Sequence, residues 1–298
     1  MIGRYPDWAT DGKDWPNREC SSFVRAGGYT WHVQQLGPDA PDAPVCLLIH
    51  GTGAATHSWR ALMPLLAKQY RVIAIDLPGH GFTKSGVSGN VTLAGMAASL
   101  AALLEEQKCT PDLIVGHSAG VAIAAQLLLD RCWKLPLVGF APALMPFPGL
   151  AARIFPSLAK MLFTNPFVSI IFSRMAQAPG QTAKFLARST GSQIDADGAK
   201  FYTRLFSKSG HCDGAIRMMA NWRLEALGAR LGEITSPVLL VHPAKDAAIP
   251  KSAVTDAGRL MPHCGILDMP GLGHLAHEEE PEQAMKIIAE FAKAEMSA

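Results

Sequence analysis

The chain has 298 residues, 49% of them hydrophobic, and its 27 basic and 25 acidic residues give a formal net charge of +2. This length and composition suit one large α/β domain with an insertion and a sizeable core. The near-neutral charge, with no block of Lys or Arg, argues against a nucleic-acid partner.

The N-terminal segment, up to about Asn17, is polar with several aromatic residues, and we expect it to lie as an arm on the body of the protein. It lacks the basic start and apolar core of a signal peptide, so we expect a cytoplasmic protein. Six cysteines occur without C-x-x-C spacing, and several lie in apolar runs. We therefore expect reduced and mostly buried thiols.

The pattern predicts a hairpin followed by alternating strands and helices. Ser22–Arg25 and Thr30–Gln35 flank a Gly27-Gly28 turn. The alternation that follows comprises strands at 45–49, 71–75, 113–115, 137–140, 237–242 and 265–269, with helices near 58–69, 92–107 and up to 131. Such alternation is typical of a mostly parallel central sheet with helices on both faces.

A G-x-S-x-G pattern centred on Ser118 follows the apolar run 113–115 and leads into a helix of small residues. A serine on such a strand-to-helix turn projects its hydroxyl above the sheet, and the flanking glycines remove side chains that would collide there. Ser118 is therefore a candidate nucleophile. Alone, the pattern also fits an ordinary turn. An acid and a base at suitable places later in the chain would favour a nucleophile.

Two such partners occur in the order acid and then base. Asp246 follows the strand at 237–242, and His274 lies in a glycine-rich loop after the strand at 265–269. Both loops come to the carboxyl edge of a parallel sheet, where sites assemble. A serine needs a base to take its proton and a carboxylate to orient that base. Ser118, His274 and Asp246 are thus the predicted catalytic triad.

Other candidates for these roles are weaker. Asp76 offers a carboxylate, but the Leu-Pro-Gly-His-Gly turn after it suggests a structural role. His277 stands beside two glutamates as a helix-start residue would.

An oxyanion hole is predicted from the loop after the strand at 45–49, where His50-Gly51-Thr52-Gly53 follows. Acyl transfer needs preorganised N–H donors at the developing oxyanion, and the N–H groups of Thr52 and Ala119 are the natural pair. The His50-Gly51 pair also fits a tight turn after a buried strand, and both interpretations hold together.

From 143 to 230 the alternation stops, and the segment is rich in Phe, Met, Leu and Pro. We predict a helical cap at 143–230 inserted into a core formed by 1–142 and 231–298. Basic residues interrupt its apolar runs before the roughly 18 residues needed to cross a bilayer, so no transmembrane segment is expected. Most of its apolar residues should join the cap to the core, and a minority should line an apolar substrate pocket. The candidates for that pocket are Met145, Phe147, Phe155, Met161 and Phe172.

No metal or cofactor is expected. The chain has ten histidines but no H-E-x-x-H motif, and His50, His80, His117 and His274 each belong to a turn explained without a metal ion.

With these motifs together, the chain resembles the α/β-hydrolase superfamily over nearly its whole length. Further segments resemble the magnesium-chelatase accessory (BchO) family of bacteriochlorophyll biosynthesis, from about residue 14 to the end: Asp14–Arg18, Gly51–Trp59, Asp76–Thr83, Met218–Trp222 and Gly271–Glu279. That resemblance implies a role near magnesium insertion into protoporphyrin IX, with a tetrapyrrole or magnesium-chelatase subunits as partners. The chain departs from the commoner hydrolase pattern at His242-Pro243, where a glycine often precedes the acid loop, and in its very apolar cap.

Two classes of function compete at this point. One is a serine hydrolase acting on a hydrophobic small-molecule substrate through an acyl-enzyme at Ser118. The other is a non-catalytic accessory protein that binds a tetrapyrrole or chelatase subunits. A complete triad favours the first, because a pure binder has no physical need for nucleophile, base and acid together. The reaction subclass stays open, because related chemistries use the same triad.

Overall fold

A nine-stranded sheet organises the part of the chain that the computed structural model describes, residues 4–40, 42–85, 90–146 and 166–296. Its strands are β1 (Ser21–Ala26), β2 (Tyr29–Leu36), β3 (Val45–Ile49), β4 (Arg71–Ile75), β5 (Lys84–Ser85), β6 (Leu113–His117), β7 (Leu137–Phe140), β8 (Val238–Pro243) and β9 (Cys264–Met269). The spatial order is β1-β2-β4-β3-β6-β7-β8-β9, with β5 paired to β2. β2 pairs antiparallel with β1, β4 and β5, and the remaining neighbours are parallel. The predicted mostly parallel sheet is confirmed.

The helices of the described residues fall into three groups along the chain. Those of the first group are α1 (Leu62–Leu66), α2 (Leu93–Glu106) and α3 (Ala119–Arg131). Between β7 and β8 come α4 (Pro166–Ala176), α5 (Gln181–Thr190), α6 (Ala196–Phe206), α7 (Ser209–Ala220) and α8 (Glu225–Gly228). The last group is α9 (Lys251–Leu260), α10 (Ala276–Glu279) and α11 (Pro281–Met296), and short 3-10 helices cover Arg18–Cys20, Thr56–Trp59 and Leu231–Glu233.

Both faces of the sheet are covered, as the alternation of β3 illustrates. Val45, Leu47 and Ile49 face a core cluster that includes residues of α2 and α3, whereas Cys46 and Leu48 face one that includes residues of α1 and α11. A strand buried on both faces is a continuous apolar run, because successive side chains point to opposite faces. Three-layer packing of this kind fixes the carboxyl ends of the parallel strands, and the loops that follow them, at one edge.

The helix predicted near 58–69 is wrong in extent. The structure has the 3-10 helix Thr56–Trp59 and then the five-residue α1. Pro64 is the third residue of α1. Proline has no N–H to donate and is tolerated only in the first turn of a helix, so a continuous helix from 58 is disfavoured.

The prediction of mostly buried thiols is also wrong. All six cysteines are free, but only Cys46 and Cys212 are buried, while Cys132 is exposed and the other three are half-buried. An apolar run in sequence does not distinguish a strand centre from its end, and Cys264, for example, begins the edge strand β9.

The cap boundaries at 143 and 230 stay a prediction. Phe147, Phe155 and Met161 lie outside the described residues. Among the helices that the structure describes, none is long and apolar enough to cross a membrane.

Candidate active site

Ser118 occupies the turn between β6 and α3 with φ 52° and ψ −117°. A positive φ is costly for a residue with a side chain, and such strain at a turn is typical of functional sites. The two glycines of the motif permit the turn, because a Cβ on Gly116 would lie 2.8 Å from the backbone of Val121, and one on Gly120 would collide with the carbonyl of Ile49. The side chain of Ser118 is half-buried at this edge.

Asp246 and His274 are joined by a hydrogen bond. The loop after β8 carries the acid and the loop after β9 the histidine, and His274 Nδ1 lies 2.8 Å from Asp246 Oδ2. Oδ1 of Asp246 accepts the N–H groups of Ala248 at 2.7 Å and Ile249 at 2.9 Å. A carboxylate only accepts, so Nδ1 of a neutral His274 carries the proton and Nε2 is free to take one.

The residue before Ser118, His117, contacts the histidine of this pair. His117 Nε2 lies 2.9 Å from the carbonyl oxygen of His274, and the two rings are 4.8 Å apart. Among the described residues, no hydrogen bond joins Ser118 Oγ to His274. Contacts between nucleophile and base are often long in unliganded enzymes and tighten with substrate. The structure thus pairs acid with base, and the link to Ser118 stays a prediction.

Burial keeps His117 neutral. Its pKa is well below the ordinary histidine value, chiefly because the ring is desolvated and also because His277 and His274 are nearby. A neutral imidazole that donates from Nε2 to a carbonyl leaves Nδ1 without a proton. His117 therefore anchors the His274 main chain rather than acting as a second base.

The loop that carries Thr52 passes close to the nucleophile. A Cβ on Gly51 would lie 2.9 Å from the Cβ of Ser118. No described residue accepts a hydrogen bond from the backbone N–H of Thr52 or of Ala119, the first residue of α3. Two N–H groups without partners beside the serine are what an oxyanion hole requires.

His50 fixes the conformation of this loop. Its Nε2 accepts the Leu77 N–H at 2.9 Å, so Nδ1 is the protonated nitrogen and donates to the Gly51 carbonyl at 2.7 Å. Burial lowers the pKa of His50, which favours this neutral tautomer. The tight turn proposed for His50-Gly51 and the predicted oxyanion loop are the same feature.

The turn after α5 clamps the acid and base loops together, and sequence reasoning missed it. The carbonyl of Thr190 accepts the N–H groups of His274 at 2.8 Å and Ala247 at 3.3 Å. Ser192 Oγ accepts the N–H of Leu275 at 2.8 Å. The only sequence signal is a helix end at Thr190-Gly191-Ser192, which does not indicate what its carbonyl and hydroxyl contact.

The geometry of this edge agrees with comparisons to known proteins. Residues 46–286 match the model of the alpha/beta hydrolase family. The chain belongs to that family. The magnesium-chelatase 30 kDa subunit of Rhodobacter capsulatus is 41% identical over 266 residues, covering 89% of this chain and 92% of that protein.

One further relative of this α/β hydrolase and one solved structure of the same fold widen the comparison. The pimeloyl-[acyl-carrier protein] methyl ester esterase of Aeromonas hydrophila subsp. hydrophila is 28% identical over 275 residues, or 83% of this chain and 95% of that protein. A solved α/β-hydrolase-fold protein from Burkholderia ambifaria superposes with a TM-score of 0.76 at 20% identity, over 91% of this chain and 97% of that one. The resemblance to the hydrolase superfamily and to the chelatase-associated family is confirmed.

In this α/β hydrolase, helices α6 and α7 lie over the Thr52 loop. A Cβ on Gly53 would lie 3.5 Å from the ring of Phe206, and His211 Nε2 donates to the Gly53 carbonyl at 3.0 Å. Thr52 Oγ1 lies 3.5 Å from the sulfur of Met218. The chain between β7 and β8 therefore borders the candidate oxyanion hole directly.

The described pocket candidates occupy two different places. Met145 is half-buried against the core cluster that includes α2 and α3. Phe172 packs at 5.2 Å from Phe185 and 5.6 Å from Phe206, ring centre to ring centre. Phe172 thus contacts Phe206, which lies near the Thr52 loop. The assignments of Met145 and Phe172 to a substrate pocket stay predictions.

The two weaker catalytic candidates are both fully buried. Oxygens of Asp76 accept the Thr56 N–H at 2.7 Å and the Phe82 N–H at 2.8 Å, and a third contact joins Asp76 to His32 Nδ1 at 2.8 Å. His277 has no hydrogen-bond partner for either ring nitrogen among the described residues, and burial lowers its pKa to about 3. Asp76 is thus held by contacts within the core, and His277 makes no hydrogen bond to Ser118 or Asp246 among the described residues.

Proposed function

We propose that this protein is a serine hydrolase that cleaves an ester or thioester with a hydrophobic acyl or alkyl group. The observation that carries the proposal is the Asp246–His274 hydrogen bond at 2.8 Å, set on adjacent strand ends beside a strained serine elbow. A scaffold that only bound a ligand would gain nothing from an oriented, buried acid–base pair.

In the proposed reaction, Ser118 Oγ attacks the carbonyl carbon of the substrate while His274 Nε2 takes the hydroxyl proton. The oxyanion that forms accepts the N–H groups of Thr52 and Ala119. Asp246 keeps the tautomer of His274 and stabilises the imidazolium. The imidazolium then protonates the leaving oxygen or sulfur as its bond to the acyl carbon breaks. Water next attacks the acyl carbon while His274 takes its proton, and the imidazolium gives that proton to Ser118 Oγ as the bond to the enzyme breaks and the acid leaves.

The preference for a hydrophobic substrate rests on the rings above the Thr52 loop. The ring of Phe206 lies 3.5 Å from where a Cβ on Gly53 would be, and Phe172 and Phe185 extend the same aromatic cluster. Aromatic side chains bind apolar groups by burial and ring contact, and they offer no partner to a polar acyl group. The relative named as a pimeloyl-[acyl-carrier protein] methyl ester esterase supports ester cleavage on this scaffold.

We place the activity at the magnesium-chelatase step of bacteriochlorophyll biosynthesis. The identity of 41% over 89% of the chain with the Rhodobacter capsulatus 30 kDa subunit supports this assignment. The same identity favours a second candidate function, a non-catalytic accessory protein that binds a tetrapyrrole or the other chelatase subunits.

Hydrolysis of p-nitrophenyl esters of increasing acyl length separates the two candidates. We expect turnover to rise from acetate to octanoate, because longer chains bury more apolar surface, and we expect the Ser118→Ala variant to lose it. Unchanged turnover in that variant would place the nucleophile elsewhere. Saturable quenching of protoporphyrin fluorescence without any ester turnover would instead establish the accessory function.

A further inference from the structure

Helix α4 turns the half-buried Phe172 and several small residues inward, but it exposes other large apolar side chains. Its small residues Ser169, Ser173 and Ala176 are buried at 6%, 5% and 5% exposure. The large apolar side chains of Ile171 and Met175 are 58% and 61% exposed. A surface helix ordinarily turns its large apolar residues inward, so this outward stripe indicates an apolar environment outside the chain.

The outward stripe continues onto α5. Phe185 of α5 is 44% exposed, and Ile170 of α4 adds a further apolar side chain that is 38% exposed. Met175 and Phe185 also line a cavity of about 350 Å³, whose lining includes Phe172 of α4 and Phe206 of α6. We call the exposed surface formed by α4 and α5 the outer cap face, with apolar members Ile170, Ile171, Met175 and Phe185.

The charged residues of α4 and α5 are all basic. From Arg131 to Ile194 the sequence carries seven lysines and arginines and no aspartate or glutamate. Three of the seven, Arg174, Lys184 and Arg188, are exposed on α4 and α5. No acidic side chain of the described residues forms an ion pair with any of the three. Outside residues 131–194 the sequence has 20 basic and 25 acidic residues, so the excess positive charge lies in the segment that contains both helices.

We propose that the outer cap face docks on an anionic phospholipid surface. Large apolar side chains bordered by lysine and arginine are the pattern of a segment that lies in the membrane interface, with its apolar groups at the acyl boundary and its cations at the headgroups. Basic residues near such a surface are attracted by its negative potential. The complementary charge distinguishes this partner from a neutral lipid surface and from a second copy of the same positive face.

Flotation with lipid vesicles tests this docking. We expect the full chain to partition onto phosphatidylcholine vesicles containing phosphatidylglycerol at least about tenfold more than onto pure phosphatidylcholine vesicles, and to be released by salt. The double variant Ile171→Glu/Met175→Glu should lose at least about tenfold in partitioning, and so should Lys184→Glu/Arg188→Glu.

Matched controls carry the same chemical changes elsewhere. Leu260→Glu alters an exposed apolar residue of α9, and Lys68→Glu/Lys293→Glu reverses two exposed charges. Both controls should bind anionic vesicles like the unaltered chain, and thermal melting checks that every variant is folded.

Three results would overturn the proposal. The first is failure of the unaltered chain to bind anionic vesicles, and the second is equal binding to neutral ones. The third is self-association in sedimentation velocity that Ile171→Glu/Met175→Glu abolishes while vesicle binding is absent, which would assign the face to a second copy of this chain.

Discussion

At the scale of single residues, Asp76 joins three segments of the core. Its oxygens contact the N–H groups of Thr56 and Phe82 and the imidazole of His32. Burial by itself would raise the pKa of Asp76, but His32, His50 and the backbone donors hold that pKa well below the ordinary carboxyl value. The stabilisation from ionised Asp76 is therefore present above the unfolded pKa, 3.8, and is lost as the pH falls through the lower folded value.

We expect Asp76→Asn to destabilise the protein by about 3 kcal/mol at pH 7, because an amide nitrogen replaces an acceptor among buried donors. Urea denaturation measures this loss. Asp256→Asn, at an exposed position of α9, is the control and should change the free energy of unfolding little. A loss no larger than that of the control would contradict the structural role assigned to Asp76.

Asp246→Asn tests the acid of the predicted triad. The Oδ1 contacts with Ala248 and Ile249 require an acceptor, so the amide nitrogen of the variant must face His274 Nδ1. This arrangement favours the wrong tautomer of the base, and we expect the rate of acylation by an activated ester to fall by about 10⁴-fold. Unaltered pre-steady-state acylation would show that His274 works without Asp246.

The sequence was sufficient to nominate Ser118, Asp246 and His274, because each follows an apolar run and stands in a recognisable turn. It was not sufficient to find the carbonyl of Thr190 or the donor His117 that hold His274 in place. Backbone carbonyls carry no residue signature, and a buried histidine has the same sequence pattern whether it is catalytic or structural.

At the scale of elements, α5 has glycines of equal φ at its two ends. Gly180 and Gly191 both have φ +72°, but a Cβ at Gly180 would meet open space, whereas one at Gly191 would collide with the Lys245 carbonyl. Gly191 follows Thr190, whose carbonyl joins the acid and base loops. Substitution at Gly180 should therefore cause backbone strain alone, whereas substitution at Gly191 should also displace the loop that carries Asp246.

We expect Gly180→Ala and Gly191→Ala each to cost about 1 kcal/mol in backbone strain. Only Gly191→Ala should also lower acylation of Ser118, by at least about tenfold, because the Lys245–Asp246 segment must move. Urea denaturation and acylation kinetics on both variants separate the effects. Equal acylation in the two would mean that the turn after α5 does not position the acid.

Glu278 of α10 joins Arg60, which follows the 3-10 helix Thr56–Trp59, to Tyr202 of α6. It pairs with Arg60 and accepts the hydroxyl of Tyr202 at 2.7 Å. Burial raises the pKa of Glu278 to about 7, although Arg60 and Tyr202 oppose the change. The folded state therefore holds a proton that the unfolded chain, with a carboxyl pKa of 4.5, releases between the two values.

The predicted consequence is a loss of stability as the pH rises from about 4.5 through 7 that Glu278→Gln does not show. The difference in unfolding free energy between the two proteins should change by up to about 3 kcal/mol across this interval. Urea denaturation at several pH values measures it, with Glu282→Gln at an exposed position as the control. A difference independent of pH would show that Glu278 stays ionised throughout.

At the scale of the whole molecule, the parallel core was predictable because its strands are short apolar runs separated by helices. β3, β4 and β7 begin and end where the sequence pattern places them. The helix near 58–69 failed at Pro64, where a local backbone rule outweighs apolar periodicity. The sequence did not predict how the apolar residues between β7 and β8 are arranged. In α4, for example, the pattern of apolar residues does not show which side of the helix faces outward.

Covalent labelling with a fluorophosphonate, mapped by peptide mass spectrometry, decides whether Ser118 is an activated nucleophile. An activated serine reacts with this probe whatever the natural substrate is. We predict one phosphonylated residue, Ser118, with labelling lost in Ser118→Ala and retained in Ser252→Ala, a control at an exposed serine of α9. A folded protein that is not labelled, or a Ser118→Ala variant labelled as strongly as the unaltered chain, would contradict the assignment of Ser118 as the nucleophile.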